Sequence, residues 1–296
     1  MTHPRGPDLR LVREVKLRDL LEPVWKGKRL EASGVMATTD AFYVIFDNST
    51  DVVRVDIGMS TAVVANRPAK GKRPPTDRES KGFEDIAVDP IDGRFFMLIE
   101  ARSRDGAFMA QVQEYDGNLV YHATRWLHFR LDGRDKGLEG LTCVRKKKQT
   151  YLLGLCEGNR CLSGEAGRRP GGGRVQIFRA TRCHWDHVGT IPLPKTLPFS
   201  DYSSIAVTGN RIAVLSQEVS ALWIGAFLPG GWELADDGRI HRFPRDSTGR
   251  ITYCNVEGVS WLAVDKIVVV SDRAKKKSQP EYCRDKDQSI HVFSIA

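Results

Sequence analysis

Apolar and polar positions alternate with period two over short stretches of this chain, and glycine-, asparagine- and aspartate-rich turns separate the stretches. Five segments share one pattern: an acidic residue, small or polar residues, an alternating strand, a turn, then a strongly apolar strand. They begin Glu31-Ala-Ser-Gly-Val, Glu84-Asp-Ile-Ala-Val, Glu139-Gly-Leu-Thr-Cys-Val, Asp201-Tyr-Ser-Ser-Ile-Ala-Val and Glu257-Gly-Val-Ser-Trp. The apolar strand of each ends on polar residues: Asp47-Asn48, Glu100, Glu157, Gln217 and Asp272. Near-even recurrence of four short strands plus loops is the signature of propeller blades. Third strands are predicted at 51–57, 109–115, 174–179 and 221–227, and fourth strands include 119–124 and 183–191.

The pattern predicts an all-β protein: a single five-bladed β-propeller over residues 1–296, with repeats starting near 31, 84, 139, 201 and 257. The last repeat shows only three strands, ending at residues 289–295. The alternating Leu11-Val-Arg-Glu-Val-Lys-Leu17 is expected to supply the missing outer strand and close the last blade. Helix is limited to a turn or two at 17–21.

Composition changes this picture little. At 296 residues, 41% hydrophobic and 28% charged, the chain can bury a sizeable core as one unit. No run approaches eighteen apolar residues and no apolar run follows the first residues, which predicts a cytoplasmic protein with no membrane association. Six cysteines (143, 156, 161, 183, 254 and 283) without a CxxC pair are expected to be mostly free thiols. The formal charge of +8 is spread over short separate runs, among them Lys70 to Arg73, Arg145 to Lys148 and Lys275 to Lys277, which argues for solvated loops over a nucleic-acid groove. A monomer is expected.

In a propeller the first strand of each blade lines the axis, and antiparallel pairing sets its start beside the end of the second strand. An inner ring of Glu31, Glu84, Glu139, Asp201 and Glu257 is therefore predicted beside a second ring of Asn48, Glu100, Glu157, Gln217 and Asp272. Packed carboxylates repel by several kcal/mol at intermediate dielectric unless protons, cations or basic groups offset them. A hard divalent cation, Ca²⁺ first, suits oxygen donors of this kind, and the inner ring is the candidate ligand set. Lys81 and Lys136, each three residues before a ring glutamate, and Arg102, Arg160 and Arg273, just beyond second-ring acids, are candidate partners of the acids or of an anionic ligand. The plain alternative is that the acids cap strand starts around a water-filled channel.

Other motifs lead elsewhere. Cys183-His184-Trp185-Asp186-His187 resembles a metal cluster, but strand alternation divides its side chains between two faces and no partner cluster is evident. Arg168 to Arg174 is glycine-rich yet lacks the Gly-Lys-Ser/Thr ending of a phosphate loop, so no nucleotide cofactor is expected. No Gly-x-Ser-x-Gly, His-Glu-x-x-His or calcium-loop motif is present. Trp126, Trp185, Trp223 and Trp261 are expected to pack between blades, with Trp232 the one plausible ligand platform.

At Glu139-Gly-Leu-Thr and Glu257-Gly-Val-Ser-Trp, followed by Cys156-Glu157-Gly-Asn and Ser271-Asp272-Arg273, the chain resembles the esterase-like, phytase-like and SdiA-regulated group of β-propellers. That resemblance covers most of residues 31–295 and implies carboxylates around the axis, sometimes with calcium. Phytase-type propellers carry richer aspartate clusters and are usually exported, so neither phytase activity nor export transfers. The expected function is a metal-assisted lyase or hydrolase acting on a small anionic or sugar-like substrate. In it Glu84, Glu139, Glu257, Glu157 and Asp272 act as acid, base or cation ligands. Arg102, Arg160, Arg273, Lys81, Lys136, Asn48 and Gln217 hold the substrate. The rival from another class is a non-catalytic propeller that binds a partner across the same face.

Overall fold

The computed structural model describes residues 6–21, 29–66, 82–133, 137–273 and 280–295, and at Glu100 the backbone alone. The chain enters with β1 (Arg10–Lys16) and a single helical turn, α1 (Leu17–Leu21). A first antiparallel meander follows: β2 (Ala32–Ala37), β3 (Ala41–Phe46), β4 (Ser49–Asp56) and β5 (Ala62–Val64). The second holds β6 (Ile86–Val88), β7 (Phe95–Arg104), β8 (Ala107–Tyr115) and β9 (Tyr121–His128). The third holds β10 (Leu138–Lys146), β11 (Gln149–Cys156), β12 (Arg174–Ala180) and β13 (Trp185–Pro192), with the short α2 (Gly164–Gly167) between β11 and β12. The fourth is β14 (Ser204–Thr208), β15 (Arg211–Ser216), β16 (Ala221–Ala226) and β17 (Arg239–Arg242). The last is β18 (Val256–Ala263), β19 (Lys266–Ser271), the turn α3 (Glu281–Arg284) and β20 (Ser289–Ser294).

β1 pairs antiparallel with β20 and completes that last sheet, in the order β1-β20-β19-β18, as its alternating sequence predicts. Chain start and chain end therefore share one sheet. The second and third meanders touch edge to edge through two parallel pairs, Trp185 with Leu127 and Asp186 with His128, forming one eight-stranded sheet.

The middle strands carry the unbroken apolar runs, such as Ala-Phe-Tyr-Val-Ile-Phe in β3 and Lys-Ile-Val-Val-Val-Ser in β19. Strands covered on both faces read this way, and β-branched residues suit them. The buried side chains form clusters between consecutive meanders. Val44, Phe46, Val268 and Val270 pack the last against the first, and Phe96, Leu152, Phe178 and Trp185 pack the second against the third. Inner strands β2, β6, β10, β14 and β18 neighbour one another in that order and β18 returns to β2, so the sheets surround an axis.

Two sequence expectations are corrected here. Predicted fourth strands begin late, at Tyr121 and Trp185, because turns at Asp116–Val120 and Thr181–His184 precede them. The cysteines are not mostly free thiols: Cys156 is bonded to Cys161 and Cys254 to Cys283, leaving Cys143 buried and Cys183 exposed. Sequence spacing could not show that the first pair closes the end of β11, or that α3 turns Cys283 onto Cys254. No described helix is long and apolar enough to cross a membrane.

Candidate functional site: a carboxylate cluster on the axis

Three inner strands open with a β-bulge, an extra residue that pairing with the second strand skips. The skipped residues are Ser33, Glu139 and Glu257, each followed by glycine. A bulge re-aims its side chain away from the ladder. Glycine follows because neighbouring backbones crowd there: a Cβ on Gly258 would lie 2.7 Å from the Cα of Gly34. Backbone bonds place Glu84 and Ser203 at the same level, since Glu84 N donates to Leu98 O and Ser203 N to Leu215 O, both at 3.0 Å. The ring is thus Ser33, Glu84, Glu139, Ser203 and Glu257. Glu31 and Asp201, which the sequence repeat sets in the ring, lie two residues upstream. The serines bind across to the next strand: Ser33 Oγ donates to Phe83 O at 2.5 Å and Ser203 Oγ to Val256 O at 3.2 Å.

The second ring shifts by one residue in the first meander. Asp47 N donates to Glu31 O as Asp272 N does to Asn255 O, so Asp47 occupies the second-ring position. Asn48 is exposed instead, and its Nδ2 donates to Arg29 O at 3.0 Å.

One residue beyond the acidic ring, the sequence repeat reads Gly34, Asp85, Gly140, Ser204 and Gly258. Four small residues leave room for one carboxylate, and Asp85, 1% exposed, fills it. Its Oδ1 accepts from Ile86 N at 2.8 Å, and its Oδ2 from Leu141 N at 2.9 Å and Ser204 Oγ at 3.0 Å. Ser204 Oγ in turn accepts from Val259 N at 3.1 Å. Asp85 therefore ties β6, β10, β14 and β18 together across the axis. Burial holds its carboxyl well above the usual range despite these donors.

Above this knot the acids converge. Burial, then Glu84, Glu157 and Glu257, hold the Glu139 carboxyl far above its ordinary value, and a hydrogen bond with Glu157 adds to the effect. The hydrogen bond with Glu157 thus favours the protonated form of Glu139. Glu257 is raised by burial and then by Asp272, Glu84, Asp201 and Asp47. Burial at this depth leaves Glu139 and Glu257 weakly screened by bulk solvent. Asp272 is pushed up to about 7, burial outweighing the Arg273 backbone bond and Arg29. Its Oδ1 is buried without a hydrogen-bond partner among the described residues. Arg29, missed in the sequence because it precedes the first repeat, brings one guanidinium nitrogen to 3.6 Å from Asp272 and another to 3.2 Å from Glu31. It also donates to the Arg273 carbonyl.

The remaining predicted residues divide. Asp201 caps the β15–β16 turn, accepting from Ser216 Oγ at 2.5 Å and from Gln217 N and Glu218 N at 3.1 Å each. Gln217 is half-buried at that turn. Arg160 is exposed with φ 57° and its N donates to Gly172 O, while the exposed Arg273 lies 3.9 Å from Asp287. Arg102 is half-buried on β7 opposite Met109. Lys81, Lys136, Lys275 to Lys277 and the Glu100 side chain lie outside the described residues. Trp232 is not an open platform, since Lys146 Nζ sits 3.4 Å from its ring centre.

No protein-family model matches the chain, and no curated protein matches it. Solved structures do. Myxococcus xanthus glutaminyl cyclase superposes with a TM-score of 0.57 at 10% identity over 99% of each chain. A PQQ-bound aldose sugar dehydrogenase from Streptomyces coelicolor gives 0.52 at 14% identity, again over 99% of each. The GH43_1 enzyme of Xanthomonas citri, complexed with xylose, gives 0.50 at 10% identity over 95% of this chain and 89% of its own. At such identities the likeness speaks for architecture alone, and it shows this all-β chain to be a β-propeller.

Proposed function

We propose that the five meanders are the five blades of one propeller domain, and that the chain is a lyase or hydrolase acting on a small anionic or sugar-like substrate at the axial carboxylate cluster. One observation carries this reading: Asp272, pushed up to about 7 chiefly by burial, acts on Glu257, which in turn acts on Glu139 and its hydrogen-bond partner Glu157. A carboxyl tuned to neutral pH can give and take a proton at working pH, which is the requirement for general acid–base catalysis. In this reading Asp272 protonates a leaving group or deprotonates a nucleophile. Glu139 and Glu157 hold the complementary proton, and Arg29 orients the anionic part of the substrate, with Arg102, Arg160 and Arg273 further out. Enzymes with this fold include one complexed with xylose, which supports the sugar-like class.

The carboxylate oxygens of Glu84, Glu139, Glu257 and Asp272, with Glu31 and Asp201 behind them, are the donor type that a hard divalent cation of the calcium class takes. Such an ion would supply positive charge for a developing oxyanion. The cysteine pairs favour an oxidising compartment over the cytoplasm. The non-catalytic alternative draws support from Asp85 and Asp201, which spend their carboxylates on backbone and hydroxyl donors. Screening hydrolase and lyase substrates with and without chelator decides between the two. Glu139→Gln and Asp272→Asn are expected to lose activity about a hundredfold or more while remaining folded by circular dichroism. Full activity in both variants would overturn the carboxylate mechanism.

A further inference from the structure

We propose that His128, His184 and Asp186 form a transition-metal site, of the Zn²⁺ class, that clips the second meander to the third. At their outer edges the two meanders meet through the parallel pairs of β9 and β13, and this site lies on that seam. Strand alternation sends Leu127 and Trp185 inward, where they are 0% and 1% exposed. Their neighbours His128, His184 and Asp186 are therefore left together on the outer side. The sequence segment 183–187 does place two ligands on one face, His184 and Asp186, and the missing third comes from β9 through sheet register.

The geometry is prepared. One donor atom from each of the three side chains lies within 4.8 Å of the others. The two imidazoles stack with centroids 3.9 Å apart and planes 12° apart, and His184 Nε2 is 2.7 Å from Asp186 Oδ1. Donors around a tetrahedral zinc stand about 3.3 Å apart, so small side-chain rotations suffice. The backbone beneath cannot drift: Trp185 Nε1 donates to buried Glu114 at 3.0 Å, its ring packs edge-on against Phe96, and Thr181 bonds both the N and the O of His184. Two imidazoles and one carboxylate are ligands suited to zinc and its neighbours rather than to calcium. Solvent supplies the remaining position, since His128 is exposed. Arg104, the nearby cation that opposes a metal, is drawn over the Trp126 ring at 5.1 Å.

The test is a calorimetric Zn²⁺ titration of the full chain stripped of metal, in excess Ca²⁺ to occupy the axial carboxylates, with Co²⁺ absorption as a second readout. One saturable equivalent is expected, with visible Co²⁺ bands and a rise in Tm. His128→Ala and His184→Ala should each weaken binding at least about tenfold and remove the Tm rise. Asp186→Asn should weaken it too, and Cys183→Ser, altering the exposed thiol next door, should leave it unchanged. Absence of saturable binding, or binding that survives both histidine changes, would overturn the site.

Discussion

Asp272 makes the axial cluster sensitive to pH, and the sign follows from its shift. Its ordinary value is 3.8 and its folded value about 7, so between these pH values the folded chain holds a proton that the unfolded chain releases. The associated stability is full below about pH 4 and is lost as pH rises through 7, at up to about 1.4 kcal/mol per unit. Glu139, Glu257 and Asp85 shift in the same direction. Urea midpoints of metal-free protein should therefore fall from pH 5 to pH 8, Asp272→Asn should flatten the fall, and Ca²⁺ should recover stability chiefly at the alkaline end. A midpoint that rises over this range would contradict the buried, proton-holding cluster. Glu139 and Glu257 were legible in the sequence because each precedes a glycine at a repeated position. Asp85, next to Glu84, carries no glycine mark of its own; only the small residues at its four equivalents show the space it fills.

At the scale of strands, pairing register rather than the repeat spacing sets which residue reaches the axis. Ser33, at a bulge, and Ser203, at an unbulged strand start, take the ring level, and Glu31 and Asp201 fall back to a guanidinium contact and a turn cap. Gly258→Ala tests the crowding directly, because its Cβ would meet backbone of β2 at 2.7 Å and no rotamer can relieve that. Thermal denaturation should show a loss of about 1–3 kcal/mol, whereas Gly209→Ala, which meets nothing within 4 Å but has φ 57°, should cost only its backbone strain, about 1 kcal/mol. Equal effects would show that crowding at the bulge is unimportant.

At the scale of the molecule, closure is shared by β1 pairing with β20 and by the Cys254–Cys283 bond, whose partners are 29 residues apart. In the chain-entropy picture a loop of that length contributes about 3–4 kcal/mol. Titration of denatured, unreduced protein should find two reactive thiols, Cys143 and Cys183, and reduction should lower the unfolding midpoint. Finding six thiols would remove both bridges. The sequence alone determined the β class and the closing strand, and it marked five similar segments and the acids at positions 84, 139, 157, 257 and 272 as candidates, because period-two patterning and repeated turns are local properties. Which acids burial holds protonated, which one knots the axis, where Arg29 lands, and that His128 lies against His184 and Asp186 were decided by the tertiary structure. Those facts depend on bulge register and on edges meeting between units far apart in the chain, and no local pattern encodes either.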